Sequence, residues 1–92
     1  MENNKVSFID QNELFHLVIR LPKNDAAFLY FTLEANEGLC FYSTADHEPH
    51  SPFREVIMKG SIEFRNATLK VLESLKKKIT FELLVDEVIK DN

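Results

Sequence analysis

The 92-residue chain is 45% hydrophobic, holds eight Phe, two Gly and one Cys, and carries a formal net charge of −4. That length suits one domain with a single thin core, and the apolar share excludes intrinsic disorder. The acidic balance argues against nucleic acid or an anionic membrane as partner, because both need clustered Lys or Arg, and the lone Cys40 excludes an intramolecular disulfide.

The first residues are polar and acidic and lack a basic segment followed by an apolar one. No apolar run approaches the roughly 20 residues that span a bilayer, so a cytoplasmic location is expected. Residues 1–13 read as an N-terminal extension or an edge strand. Val6 and Phe8 hold one phase of residues 5–10, and the turn-like Asp10, Gln11, Asn12 and Glu13 suggest a hairpin into the next element.

Residues 14–21 form the first clear strand. Phe15, Leu17, Ile19 and Leu21 alternate with His16, Val18 and Arg20, the period of a sheet with one buried face. Pro22 ends it, since it cannot donate to a ladder. A helix is predicted over 25–37, started by Lys23 or Asn24, with Asp25 complementing the dipole of its first turn. Its apolar residues split into two groups. Phe28, Phe31 and Ala35 share one side with Ala27 at its edge, while Ala26, Leu29, Tyr30 and Leu33 share the other. Gly38 can take the left-handed conformation that stops a helix.

Residues 39–44 are β-formers, and the segment ADHEPHSP at 45–52, with two prolines, reads as a loop. A third strand is predicted from 54 to 59, extending as far as 64, with Gly60 marking a bulge or its end. Asn66 suits the N-cap of a second helix over 67–78, whose stripe is Thr68, Val71, Leu72, Leu75 and Ile79. The run Lys76, Lys77, Lys78 falls in its last turn, where cations complement the dipole. The tail fits strand and helix equally by pattern. A strand over 80–85 is preferred, because the preceding order leaves a sheet short of one member.

The resulting order is β-α-β-β-α-β: an α+β ferredoxin-like sandwich, with two helices on one face of an antiparallel sheet and an optional N-terminal edge strand. The whole chain, 1–92, reads as a single domain, with a core at 14–86 and a tail at 87–92.

Residues 15–44, FHLVIRLPKNDAAFLYFTLEANEGLCFYST, resemble a family of small bacterial proteins of unknown function. The resemblance rests on the strand closed by Leu21 and Pro22, the aromatic helix from Phe28 to Leu33, and Glu34, Ala35, Asn36, Glu37 and Gly38 leading into a strand. It implies the fold and brings no activity, so no catalytic residue is expected.

Candidate chemistry is sparse. Asp46, His47, Glu48 and His50 are of types that bind zinc, but they sit in a Pro-containing loop with no rigid element to aim them. Cys40 lies in an aromatic strand, where a cysteine usually serves as a small hydrophobe, and no base is placed beside it. The turn Pro22, Lys23, Asn24 and Asp25 has no Gly to let a phosphate approach the backbone. Residues 59–64, KGSIEF, lack the aromatic pattern of an RNA-binding sheet.

The leading expectation is a non-enzymatic module that interacts with protein or self-associates, through Leu29, Tyr30 and Leu33 of the first helix or through His16 and Arg20 on the open sheet face. The alternative is a regulatory sensor of a small, amino-acid-like molecule, bound at Pro22, Lys23, Asn24 and Asp25. No cofactor is expected, and a homo-oligomer or a protein partner is.

Overall fold

The computed structural model describes residues 13–90. The strand expected at 5–10 lies outside the described residues. Four strands and two helices follow in the order β1 (Glu13–Pro22), α1 (Lys23–Ala35), β2 (Phe41–Thr44), β3 (Phe53–Ser61), α2 (Arg65–Leu75) and β4 (Glu82–Lys90), with a 3-10 turn at Ile62–Phe64 before α2. The strands lie in the order β2-β3-β1-β4, and each neighbouring pair is antiparallel. This is the ferredoxin-like split βαβ sandwich, with both helices on one face of the sheet.

β1 is the axis of the sheet. Its alternation sends Phe15, Leu17, Ile19 and Leu21 to the helix side, where all four are essentially inaccessible to water. They pack with Val56 and Met58 of β3, Leu29 and Leu33 of α1, Leu72 and Leu75 of α2, and Ile79. Thr68 is buried among these apolar groups, and its hydroxyl donates to the Phe64 carbonyl at 2.9 Å, which removes the cost of an unpaired polar group.

Several boundaries differ from the sequence reading. α1 begins at Lys23, and Pro22 occupies its N-cap position in an extended conformation without a side-chain cap. The helix ends at Ala35, and the chain then turns through Gly38 at φ 80 before β2. Asn66 lies inside α2, whose N-cap position falls to Phe64 at the end of the 3-10 turn. α2 stops at Leu75, so Lys76, Lys77 and Lys78 form the turn beyond it, and this turn brings Ile79 into the core.

β4 runs from Glu82 to Lys90, well past the expected end at 85, because β1 offers it partners along nearly its whole length. Its register shifts where Val18 pairs with Val85 but Ile19 pairs with Leu83, leaving Leu84 as the extra residue of a bulge. A bidentate ion pair, Arg65 Nη2 to Asp86 Oδ2 at 2.7 Å and Oδ1 at 2.9 Å, ties the start of α2 to the middle of β4. No helix among the described residues is long and apolar enough to cross a membrane.

Candidate functional site

The two sides of α1 take opposite roles. Leu29 (0% exposed), Leu33 and Ala26 face the sheet, whereas Phe28 is partly exposed and Phe31 is 73% exposed. Leu29 and Leu33 were expected at an interface and are instead core residues. α1 is turned so that the Leu29 and Leu33 side packs on Phe15 and the rest of the core and the Phe31 side faces outward. Tyr30, half-buried at the edge of that core-facing side, is the member of the trio that reaches the surface.

Tyr30 lies against Tyr42 of β2, with ring centroids 5.1 Å apart and planes 14° from parallel. Its hydroxyl pairs with Thr44 Oγ1, while Tyr42 donates to Glu34 Oε2 at 2.5 Å. The Tyr42 phenol is held above its ordinary value, first by this hydrogen bond and then by lost hydration and nearby negative charge. Cys40, the residue before β2, is partly buried, and burial pushes its thiol up, away from a reactive thiolate.

A cleft of about 640 Å³ opens beside Tyr30. It is lined by Lys23, Asn24, Ala26 and Ala27 from the first turns of α1, by Tyr30 and Thr44, by His47 of the β2–β3 connection and by Arg54 at the start of β3. The Lys23 amide donates to the Pro52 carbonyl at 2.8 Å, so the start of the helix and the loop are joined by their backbones. Arg54 Nη1 donates to the Ser51 and Phe53 carbonyls, at 2.9 and 2.8 Å, and stiffens the far end of the loop. Two permanent cations and an imidazole thus frame a helix N-terminus whose cap position supplies no acceptor. Free amides at a helix start, with the positive end of the dipole, favour an anion. Asp25 belongs to the same turn but does not line the cleft.

The sequence-predicted turn residues Lys23 and Asn24 and the loop residue His47 therefore meet in one place. Arg54 was missed, although a cation directly after the Pro-rich loop was a usable signal. Asp46, His47 and Glu48 also line a smaller depression with Arg20, Ser51, Phe53 and Glu55, while the exposed His50 lines neither. Among the described residues no group of three or more His, Cys, Asp and Glu is arranged to hold a metal ion. The loop turns after Glu48, where the Ser51 amide donates to the Glu48 carbonyl at 3.0 Å, and His50 falls outside both depressions.

His16 and Arg20 lie on the open face of the sheet, as their phase in β1 requires. Both are engaged within the chain. His16 Nδ1 is 2.6 Å from Glu87 Oε2, and the Arg20 guanidinium stacks 4.3 Å over the Phe53 ring with Glu82 at 3.9 Å. Between them a row of paired residues, Ser43, Ile57, Val18 and Val85, crosses all four strands. Phe41, opposite Lys59 in the next row, is 84% exposed.

No protein-family model matches this sequence, and no curated protein matches it. Among solved structures the fold is similar to that of CPII, a nitrogen regulatory PII-like protein from Thiomonas intermedia K12, which was solved bound to ADP, AMP and bicarbonate. The TM-score is 0.63 at 14% identity, over 87% of this chain and 96% of CPII. The likeness is one of fold, and it extends over nearly the whole of both chains.

Proposed function

We propose that this protein is a regulatory module that senses a small anionic ligand in the cleft at the start of α1, with an adenine nucleotide as the first ligand class. The observation that carries this reading is the convergence of Lys23, His47 and Arg54 on the N-terminus of α1, where Pro22 supplies no side-chain cap and, among the described residues, only the Lys23 amide is taken, by the Pro52 carbonyl. A phosphate group suits that end of the cleft: the backbone amides and Lys23 donate to it, and Arg54 lowers its potential. Tyr30 offers an aromatic surface at the other end. The similar fold of CPII, which holds ADP, AMP and bicarbonate, supports a nucleotide over an amino acid. The resemblance of residues 15–44 to small bacterial proteins of unknown function is compatible with this role and adds no chemistry.

The test is calorimetric titration with ADP, AMP and bicarbonate, each alone and in pairs. Saturable nucleotide binding that weakens at least about tenfold in Lys23→Glu, a loss of about 1.4 kcal/mol, is the expected result. Lys23 is exposed, so the fold should survive the change. Binding unaffected by Lys23→Glu would place the ligand elsewhere, and no binding by the native protein would overturn the reading.

A second reading, self-association, is favoured by one further observation. Phe41, Ile57, Val85 and Ile89 put apolar surface on the open face of the sheet, where no helix among the described residues covers it. Native mass measurement of Phe41→Glu with Ile57→Glu tests it, with loss of an oligomer expected. An unchanged mass would exclude this face as the contact.

A further inference from the structure

Tyr30 is held in place from β2. Tyr42 and Thr44 stand opposite Met58 and Val56 of β3, which are buried beneath the helices, so both point toward α1. The Tyr42 ring stacks on one face of the Tyr30 ring, and the Thr44 hydroxyl pairs with the Tyr30 hydroxyl. Tyr42 is fixed in turn by the hydrogen bond it donates to Glu34, one turn beyond Tyr30 on the same helix. A ring held at its face and at its hydroxyl gives up little freedom when a ligand stacks on it.

Tyr42 lines no part of the cleft, whereas Tyr30 does. The cleft therefore opens on the side of the Tyr30 ring that Tyr42 leaves bare. Ala26 and Ala27 line the same cleft one turn before Tyr30, and their methyl groups leave the space beside the ring open. Lys23 lies two turns before Tyr30, about 10 Å along the helix axis. A small inorganic anion among Lys23, His47 and Arg54 would not span that length. A phosphate ester carrying a planar ring would.

We propose that the cleft selects phosphates joined to a planar aromatic base, stacked on Tyr30, and that Tyr42 is the positioning residue for this selection although it lies outside the cleft. The inference rests on the reading of the cleft as an anion site. Stacking on an aromatic side chain suits every base, so the ligand class is the nucleotide and the phosphates alone do not define it. Tyr42 acts through Tyr30. Removing its ring leaves a space between α1 and β2 into which the Tyr30 ring can turn.

The experiment is calorimetric titration of the full chain with ADP and with inorganic pyrophosphate, which shares the anionic end and has no base. The native protein should bind ADP at least about tenfold more tightly than pyrophosphate. Tyr42→Leu should remove most of that preference and leave pyrophosphate binding unchanged. Tyr42→Phe, which keeps the stacked ring and loses the bond to Glu34, should retain most of it. Ala27→Leu, at an exposed helical position that accepts leucine, should weaken ADP by about tenfold and spare pyrophosphate. Equal native affinities for the two ligands would overturn the inference and leave the anion site standing. So would an ADP preference that survives either substitution to Leu, or a loss shared equally by both ligands. A native protein that binds neither would overturn the reading of the cleft itself, and the inference with it.

Discussion

Phe15 and Gly60 face each other across β1 and β3, and the edge of the Phe15 ring occupies the space that a Cβ on residue 60 would need. The ideal Cβ would lie 2.7 Å from Phe15 Cε2 and 3.1 Å from the Leu39 carbonyl oxygen. Phe15 is fully buried and has little room to swing aside. Gly60→Ala should therefore cost about 1–3 kcal/mol through overpacking, read from the denaturant midpoint. Phe15→Leu in the same chain should recover part of that loss, and strictly additive costs would contradict the contact.

Gly38 needs to be glycine for a different reason. Nothing lies within 4 Å of its ideal Cβ, but its φ is +80. Gly38→Ala should cost about 1–2 kcal/mol from backbone strain alone, and no neighbouring substitution should relieve it. Thermal denaturation of the Gly38→Ala and Phe15→Leu combination would show additive losses.

The orientation of α1 is tested by its two sides. Leu29→Ala removes a fully buried side chain and should lose about 2–5 kcal/mol, whereas Phe31→Ser on the outer side should stay within about 0.5 kcal/mol. Urea titrations of the two variants decide it, and equal losses would mean that Phe31 is covered in solution.

Tyr42 gives a pH-dependent signature. Its phenol is raised by the bond to Glu34, so the folded state favours the neutral form. That contribution is complete below the ordinary phenol range, about 10, and is lost as pH rises through the higher folded value. In Tyr30→Phe, which leaves Tyr42 as the single tyrosine, tyrosinate absorbance should appear later than in the unfolded chain. Adding Glu34→Gln should bring it earlier. A Tyr42 that titrates identically in both backgrounds would show that Glu34 does not hold the phenol.

The thiol of Cys40 offers a fifth check. Burial raises it, so alkylation at mildly alkaline pH should be slower in the folded protein than in denaturant. Equal rates would contradict the partly buried position.

The sequence carried the architecture well because β1 and α2 each have one clean period. The alternation from Phe15 to Leu21, broken only by Val18, marks which face is buried, and Thr68, Leu72 and Leu75 form a single stripe on α2. α1 lacks that contrast. It is apolar on both sides, so periodicity located a helix without saying which side meets the sheet. The end of β4 was illegible for a related reason, since its limits are set by the length of β1. The cleft was half legible. Lys23, Asn24 and His47 were singled out for separate reasons, but their meeting depends on the backbone bond from Lys23 to Pro52. No local pattern encodes that contact.

The central place of β1 also governs the order in which the molecule can be built. β1 is made early, yet its partners are residues 53–61 and 82–90, and Glu13 finds Lys90 only after the intervening chain has been synthesised. Contacts so distant in sequence slow folding, because loop closure must precede the stabilisation that it allows. Until β4 is made, Phe15, Leu17 and Ile19 sit on a strand that β3 can pair along one edge only. A nascent chain halted before residue 82 would present that strand to its surroundings as an aggregation-prone surface.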